Sequence, residues 1–267
     1  MQPVIENGRV EMYTRLSPQY FLLSLRSPKI ARTIEPGQFV MIEVQKGHDP
    51  LLRRPFSAHR VVSAGNGEPE IVEVLVQIVG RGTRLLSEAK PGSSLSVVGP
   101  LGQGFKCDGP GRRVLVVGGG CGIAPLPFAA ERLLEAGHRI EIYYGAGTEA
   151  ELVIRETLSS LGAPTHISTD DGSAGHYGLV TDLVRRTLDL PREQETAIVA
   201  CGPLPMLRAV KALAVEYTID CQLSLETMMA CGFGVCLGCT VHSAAGNGDY
   251  VLTCMEGPVF DMERIKL

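Results

Sequence analysis

The chain has 267 residues, 45% hydrophobic and 20% charged, with a net charge of −4 at neutral pH. That length suffices for two compact domains and a small appendage with sizeable cores. The mild negative charge argues against a nucleic-acid surface or a polybasic membrane patch, so neither nucleic acid nor membrane is expected as a partner. The opening MQPVIENGRVEM lacks the apolar segment of a signal peptide. The longest uncharged run, 114–130, holds four glycines and two prolines and reads as strand, loop and helix start, not a membrane span. Eight cysteines in a chain that is neither small nor exported point to reduced thiols or metal ligands, and to the cytoplasm.

From 8 to 100 the pattern is short strands between turn residues: YFLLSLRS, GQFVMIEV, EIVEVLVQIVG and SSLSVVGP, with Pro-Gly turns at 36–37 and 91–92. Such spacing predicts an antiparallel barrel or sandwich, interrupted by a helix over 83–89. Two motifs stand out. In Gly80-Arg81-Gly82-Thr83, a glycine turn offers backbone N–H groups and a hydroxyl at a helix start, which suits a pyrophosphate or is simply a capped turn. In Arg54-Pro55-Phe56-Ser57, the guanidinium is a forked donor for phosphate, while Phe56 and Ser57 suit a flat ring. The segment 102–112, rich in glycine, reads as a linker.

From 113 strands and helices alternate. RVLVVGGG, RIEIYYGAG, THISTDDG, TAIVACGP and IDCQLSLE read as strands, and 125–136, 149–161, 178–188 and 204–217 as helices. Alternation of this kind predicts a doubly wound parallel sheet, with ligands at the carboxyl ends of its strands. The first such end is Gly118-Gly119-Gly120-Cys121-Gly122-Ile123-Ala124-Pro125, where glycines admit a pyrophosphate to the backbone and Pro125 opens a helix. Another is Cys201-Gly202-Pro203. The end of the second strand carries no Arg or Lys, and Glu149 and Glu151 follow it, so NAD is favoured over NADP. No acidic residue stands right at that strand end, which leaves ribose recognition unassigned. Asp170-Asp171-Gly172-Ser173 reads as a turn.

Near the C-terminus stand Cys231, Cys236, Cys239 and Cys254, separated by four, two and fourteen residues. Three thiolates on one glycine-rich loop and a fourth from a returning segment suit a [2Fe–2S] cluster better than zinc, whose knuckles pair cysteines in two short hooks. His242 has no histidine partner in the ligand loops, which excludes a Rieske centre. Nicotinamide exchanges hydride and a [2Fe–2S] cluster exchanges single electrons, so a chain with both sites needs a flavin between them. No residues remain for an organic-substrate pocket, and a cluster on a small terminal module looks like a contact for another subunit.

Taken together, the motifs resemble the ferredoxin–NADP reductase superfamily, with its Arg-x-Tyr/Phe-Ser/Thr, Gly-x-Gly-Thr/Ser and glycine-rich nucleotide loops. Across the whole chain they are similar to the electron-transfer subunits of NAD-linked dihydroorotate dehydrogenases, most specifically in Met229-Ala230-Cys231-Gly232-x-Gly234-x-Cys236-x-x-Cys239 and Cys254-x-x-Gly257-Pro258-Val259-Phe260. The resemblance implies an FAD-binding β-barrel over 1–103, an NAD-binding α/β domain over 112–220 and a [2Fe–2S] module over 221–267. It implies FAD at Arg54, Pro55, Phe56, Ser57, Leu75, Val76, Gln77, Gly82 and Thr83, with Ser57 near the reactive ring nitrogen. It implies NAD at Gly118, Gly119, Gly120, Gly122, Ile123, Ala124, Pro125, Gly202 and Pro203, with Cys201 beside the nicotinamide. It further implies a heterotetramer with an FMN-containing catalytic subunit, passing electrons from dihydroorotate through FMN, cluster and FAD to NAD⁺ in pyrimidine biosynthesis. Rival readings are a ferredoxin oxidoreductase subunit of another complex, in which aspartate often replaces the first cysteine; an oxygenase reductase, with a longer gap before the fourth; and a redox or metal sensor with no catalytic role.

Overall fold

The computed structural model describes every residue except Met1, His48, Asn66, Asp108, Pro110, Arg192, Glu193 and Asn247; two of these, Asp108 and Pro110, belong to the expected linker. Seven strands, β1 (Val4–Arg15), β2 (Tyr20–Arg26), β3 (Phe39–Ile42), β4 (Arg54–Ser57), β5 (Arg60–Ser63), β6 (Pro69–Gln77) and β7 (Ser94–Leu101), form one sheet. Their order is β4-β3-β7-β1-β2-β6-β5, antiparallel throughout. The two edge strands are consecutive in the chain. Between them, the Ala58 N–H bonds Gln38 O (3.0 Å) at one edge and the His59 N–H bonds Glu73 O (2.8 Å) at the other, so the sheet curls into a barrel. Helix α1 (Pro28–Ala31) adds Ile30 and Ala31 to the barrel core. The second helix, α2, spans Arg81–Leu86 and so starts two residues earlier than expected, because Thr83 caps it from inside: its Oγ1 accepts the N–H groups of Val79 (3.0 Å) and Gly80 (3.2 Å).

The central sheet is parallel, with strands β8 (Arg113–Gly119), β9 (Arg139–Ala146), β10 (Thr165–Thr169), β11 (His176–Tyr177), β12 (Thr196–Cys201) and β13 (Asp220–Ser224) in the order β11-β10-β9-β8-β12-β13. Successive residues of β8 feed two cores: Val114 and Val116 pack on the face covered by α3 (Leu126–Glu135) and α4 (Arg155–Ser159), and Leu115 and Val117 on the face covered by α5 (Val180–Leu188) and α6 (Leu204–Glu216). The order reverses between β8 and β12, where a doubly wound sheet places its ligand. The helix expected over 149–161 breaks into a 3₁₀ turn, Glu149–Glu151, and α4. The Tyr144 hydroxyl takes the Glu151 carbonyl (3.0 Å), and the Glu151 carboxylate turns back to accept the Gly147 N–H (2.9 Å). Those bonds compete with a continuous helix.

The C-terminal segment is stitched to both domains. A hairpin, β14 (Thr240–His242) with β15 (Tyr250–Leu252), leads into the short helix α7 (Thr253–Glu256), and β16 (Val259–Asp261) then joins the central sheet antiparallel to β13. The expected boundary at 220/221 thus falls at the start of a sheet strand. Lys106, in the expected linker, pairs with Asp261 (2.5 Å), and its backbone exchanges hydrogen bonds with the Gln222 amide. Barrel and sheet also interlock: Phe128 of α3 belongs to the barrel core, and Arg60 pairs with Glu131 (2.5 Å). Among the described residues, no helix is long and apolar enough to cross a membrane.

Candidate functional site

The two nucleotide loops meet at a contact only glycine permits. A Cβ on Gly122 would lie 2.4 Å from Gly202 Cα and 2.7 Å from the Cys201 carbonyl carbon. The loop 118–125 therefore runs against the end of β12, with a cavity on either side.

On one side lies a cavity of about 410 Å³ at the carboxyl ends of β8, β9 and β10, lined by Gly119, Gly120, Gly147, Glu151, Asp170 and Pro203, among others. No lysine or arginine lines it among the described residues. The acidic group missing from the strand end is supplied by Glu151, four residues beyond Gly147 and fixed by that glycine's N–H. Asp170 joins it from the turn after β10, while Asp171 ties that turn by accepting the Ser173 N–H (2.9 Å). Sequence reading counted Glu151 against a 2′-phosphate but left ribose recognition unassigned, because only the broken helix swings Glu151 back over the strand end.

On the other side is a cavity of about 350 Å³ shared by the barrel, the nucleotide loop and the start of the cluster segment. Arg54, Pro55, Phe56, Ser57, Leu75, Val76, Gln77 and Thr83 all line it. Gly82 lies beneath: a Cβ there would come 2.8 Å from Arg54 Nε. The Thr83 hydroxyl is already engaged in capping, so the motif is a capped turn that also faces the cavity.

The expected NAD residues divide between the cavities. Gly119, Gly120 and Pro203 face the first, whereas Ala124, Pro125 and Cys201 face the second. Gly118 and Ile123 pack on each other, with a Gly118 Cβ position 2.3 Å from Ile123 Cδ1. Cys201 is 2% exposed, and burial pushes its thiol well above the usual range. Burial likewise pushes Cys121 up to about 12, so both thiols stay protonated.

The second cavity also gathers Phe39, Glu226 and Thr227, together with Cys121 and Met229, which stood in the quoted motifs without a role at this cavity. Glu226 opens onto the cavity while protein crowds it elsewhere, and that desolvation raises its carboxyl. The one sequence signal for it was the Ser224-Leu225-Glu226 run leading into the cluster motif. His59, buried behind the loop, hydrogen-bonds through Nδ1 to Ala124 O (2.7 Å), and burial lowers its pKa to about 4.

Between Cys239 and Cys254 the chain runs through strands β14 and β15, whose pairing returns it so that Cys239 O accepts the Thr253 N–H (3.1 Å). Backbone N–H groups point at the sulfurs: Phe233 at Cys231 (3.4 Å), Gly234 at Cys254 (3.2 Å) and Cys254 at Cys239 (3.5 Å). Burial raises the Cys231 thiol, but the N–H groups of Cys236, Phe233 and Val235 outweigh it and bring the thiol down to about 6. Gly232 and Gly234 turn the loop at φ of +83° and +80°, and Leu237 adopts a left-handed +56°, a strained conformation between Cys236 and Cys239. Among the described residues, no three such donors converge as one ion would require. Four cysteine thiols, three on one glycine-rich loop and the fourth brought back beside them by the hairpin, are a donor set that fits a [2Fe–2S] cluster.

Residues 226–266 match the iron–sulfur cluster binding domain of dihydroorotate dehydrogenase B, 116–212 an oxidoreductase NAD-binding domain and 7–105 an oxidoreductase FAD-binding domain. The chain is 37% identical to the dihydroorotate dehydrogenase B (NAD(+)) electron transfer subunit of Desulforamulus reducens, over 92% of each chain. It is 36% identical to the homologue of that subunit in Aquifex aeolicus, over 98% of each.

The chain belongs to the dihydroorotate dehydrogenase B electron transfer subunit family.

Among solved structures, the NADH-dependent reduced ferredoxin–NADP oxidoreductase matches with a TM-score of 0.84 over 98% of this chain and 90% of that one, at 29% identity. As a member of the electron transfer subunit family the chain is an oxidoreductase subunit with FAD-, NAD- and iron–sulfur-binding domains in that order, on the barrel and doubly wound sheet expected.

Proposed function

We propose that this subunit carries electrons between NAD⁺ and a separate FMN-containing dihydroorotate dehydrogenase subunit, in a heterotetramer of two copies of each, for pyrimidine biosynthesis. The observation that carries the reading is a 37% identity over 92% of the chain, beside the match of residues 226–266 to the dihydroorotate dehydrogenase B iron–sulfur domain. In this reading the second cavity holds FAD, with Arg54 on its pyrophosphate and Ser57 and Cys201 at its ring. Bound there, FAD supplies the exchange between hydride and single electrons. Cys231, Cys236, Cys239 and Cys254 hold the [2Fe–2S] cluster. The first cavity takes NAD, where Glu151 and Asp170 recognise the adenosine ribose and repel a 2′-phosphate. The protonated Cys201 thiol adds no charge where hydride moves, and the close loop contact excludes water from that end of the cavity.

The partner reading draws on the surface around the cluster. The loop 231–239 carries no charged residue. Phe233, Val235 and Leu237 on it, with Met228 and Met255 beside it, are large exposed apolar side chains. Such a patch suits a stable subunit interface.

An anaerobic pull-down of the subunit from its native lysate, with a spectrum and a dihydroorotate-to-NAD⁺ assay, tests the proposal. Co-purification of an FMN protein with that activity is the expected result. A yellow-brown subunit that brings down a ferredoxin or another flavoprotein transfers the function to a ferredoxin oxidoreductase complex, the reading favoured by the solved structure sharing its architecture.

A further inference from the structure

The four cluster cysteines are not equivalent. Cys239 and Cys254 are 3% and 1% exposed, whereas Cys231 is half-buried and Cys236 lies at the surface. The cluster site therefore has a dry side and a wet side, and the dry side faces the barrel. Cys239 and Cys254 belong to one apolar group with Phe39, Met41, Val98 and Leu101, with Met229 packed against it. Phe39 and Met229 also line the second cavity. Phe39 is 2% exposed and is the cross-strand partner of Ser57. The cluster loop sits on the barrel at this same place, where a Cβ on Gly232 would come 2.8 Å from Met41 Cγ.

We propose that Phe39 and Met229 form the electron bridge of the subunit: a dry partition through which the flavin cavity and the Cys239–Cys254 side of the cluster exchange single electrons. No bond is made or broken in the crossing. In the NADH-driven direction used below, each electron that leaves the reduced flavin would turn one ferric iron ferrous, and the proton that arrived with the hydride stays on the flavin side; towards NAD⁺ the same crossing runs in reverse. An apolar wall keeps solvent away from the buried sulfurs, which otherwise alters potential and dielectric. It also spares each crossing the reorientation of water that a wet gap demands. The Met229 thioether adds a polarizable group to the partition. The exposed Cys231–Cys236 side is left for exchange with the partner, so entry and exit use opposite pairs of ligands.

The inference rests on the cofactor placement proposed above but not on the partner, because the test uses the full chain with its FAD and iron alone. Phe39→Ala, Phe39→Leu and Met229→Ala are first assayed for flavin and iron. Each is then mixed anaerobically with NADH and freeze-quenched. The EPR signal of the reduced cluster and the flavin absorbance give the two rates in one sample. Phe39→Ala is expected to slow the cluster phase about tenfold relative to the flavin phase, equivalent to about 1.4 kcal/mol of barrier. Phe39→Leu, which keeps the wall dry, should recover most of the loss. In D₂O, deuterium coupling to the reduced cluster should rise in Phe39→Ala as water enters, a change that a loosened flavin alone does not produce. Both phases slowing together, or a cluster phase that keeps its rate, overturns the bridge. If Phe39→Ala loses flavin or iron, the half-buried Met229 carries the same test through Met229→Ala. Loss of flavin with iron retained in every Phe39 variant, beside a normal Met229→Ala, would assign Phe39 to flavin binding and overturn its place in the bridge.

Discussion

The first and second cavities lie on either side of one loop and are built by opposite means. The first is a backbone construction: Gly119, Gly120, Gly145 and Gly147 line it, and its loops meet where Gly122 touches Gly202. The second is a side-chain construction, assembled from 54–57, 75–83, the nucleotide loop and 224–229. One is shaped by atoms that are missing and the other by atoms that are present. Adding a methyl group should therefore damage the first, and deleting a side chain should damage the second.

Gly122→Ala is the sharpest way to break that contrast. Its new Cβ would meet backbone that cannot step aside, an overpacking of about 1–3 kcal/mol. NADH-driven flavin reduction should fall about a hundredfold at limiting NADH, with the flavin spectrum retained. Activity close to that of the native chain would show that the loops can separate freely.

Arg54→Ala tests the other half. Removing one charged donor from a phosphate costs about 1.5–3 kcal/mol, so equilibrium dialysis should show FAD held tenfold or more less tightly. An unchanged dissociation constant removes Arg54 from the site. A smaller effect is expected of Glu151→Gln, which should move the preference between NADH and NADPH about tenfold towards NADPH, as one charged hydrogen bond to ribose is weakened. The ratio of kcat/KM for the two nucleotides reads it directly, and an unmoved ratio shifts discrimination to Asp170.

The smallest effect at neutral pH belongs to His59→Gln. His59 has a folded pKa of about 4, below its value of 6.5 in the unfolded chain. Between those values the unfolded chain binds the extra proton, so acidification favours unfolding. Stability should fall by up to about 1.4 kcal/mol per pH unit through that window from this group alone. Glutamine can keep a donor towards Ala124 O without titrating, so the melting temperature of the variant should depend less steeply on pH. Equal slopes in both proteins would place the acid sensitivity elsewhere.

What the sequence disclosed follows the same division. Glycine-rich loops and cysteine spacing are local signals, because the chemistry they serve needs those residues at those intervals; the strand-and-helix alternation and the cysteine loop were legible for that reason. Phe39 was not, and Glu226 and Met229, beside the cysteine loop, carried no sign that they face the second cavity. In a run such as GQFVMIEV an aromatic reads as core, and only the pairing of β3 with β4 sets Phe39 beside Ser57. The break after Glu151 depends on the distant hydroxyl of Tyr144, which no helical periodicity records. Likewise β16 is a three-residue strand with no pattern of its own, and it exists because β13 offers an unpaired edge.

That last strand also bears on how the molecule is made. β16 follows the fourth cluster ligand by only a few residues and closes the edge of the central sheet. On the ribosome, N-terminal domains fold first, so the barrel and most of the parallel strands can form before Cys254 emerges. The arrival of the fourth cysteine and the sealing of the sheet are adjacent events in synthesis. A chain ending before β16 would leave the β13 edge uncovered, and an open sheet edge invites aggregation.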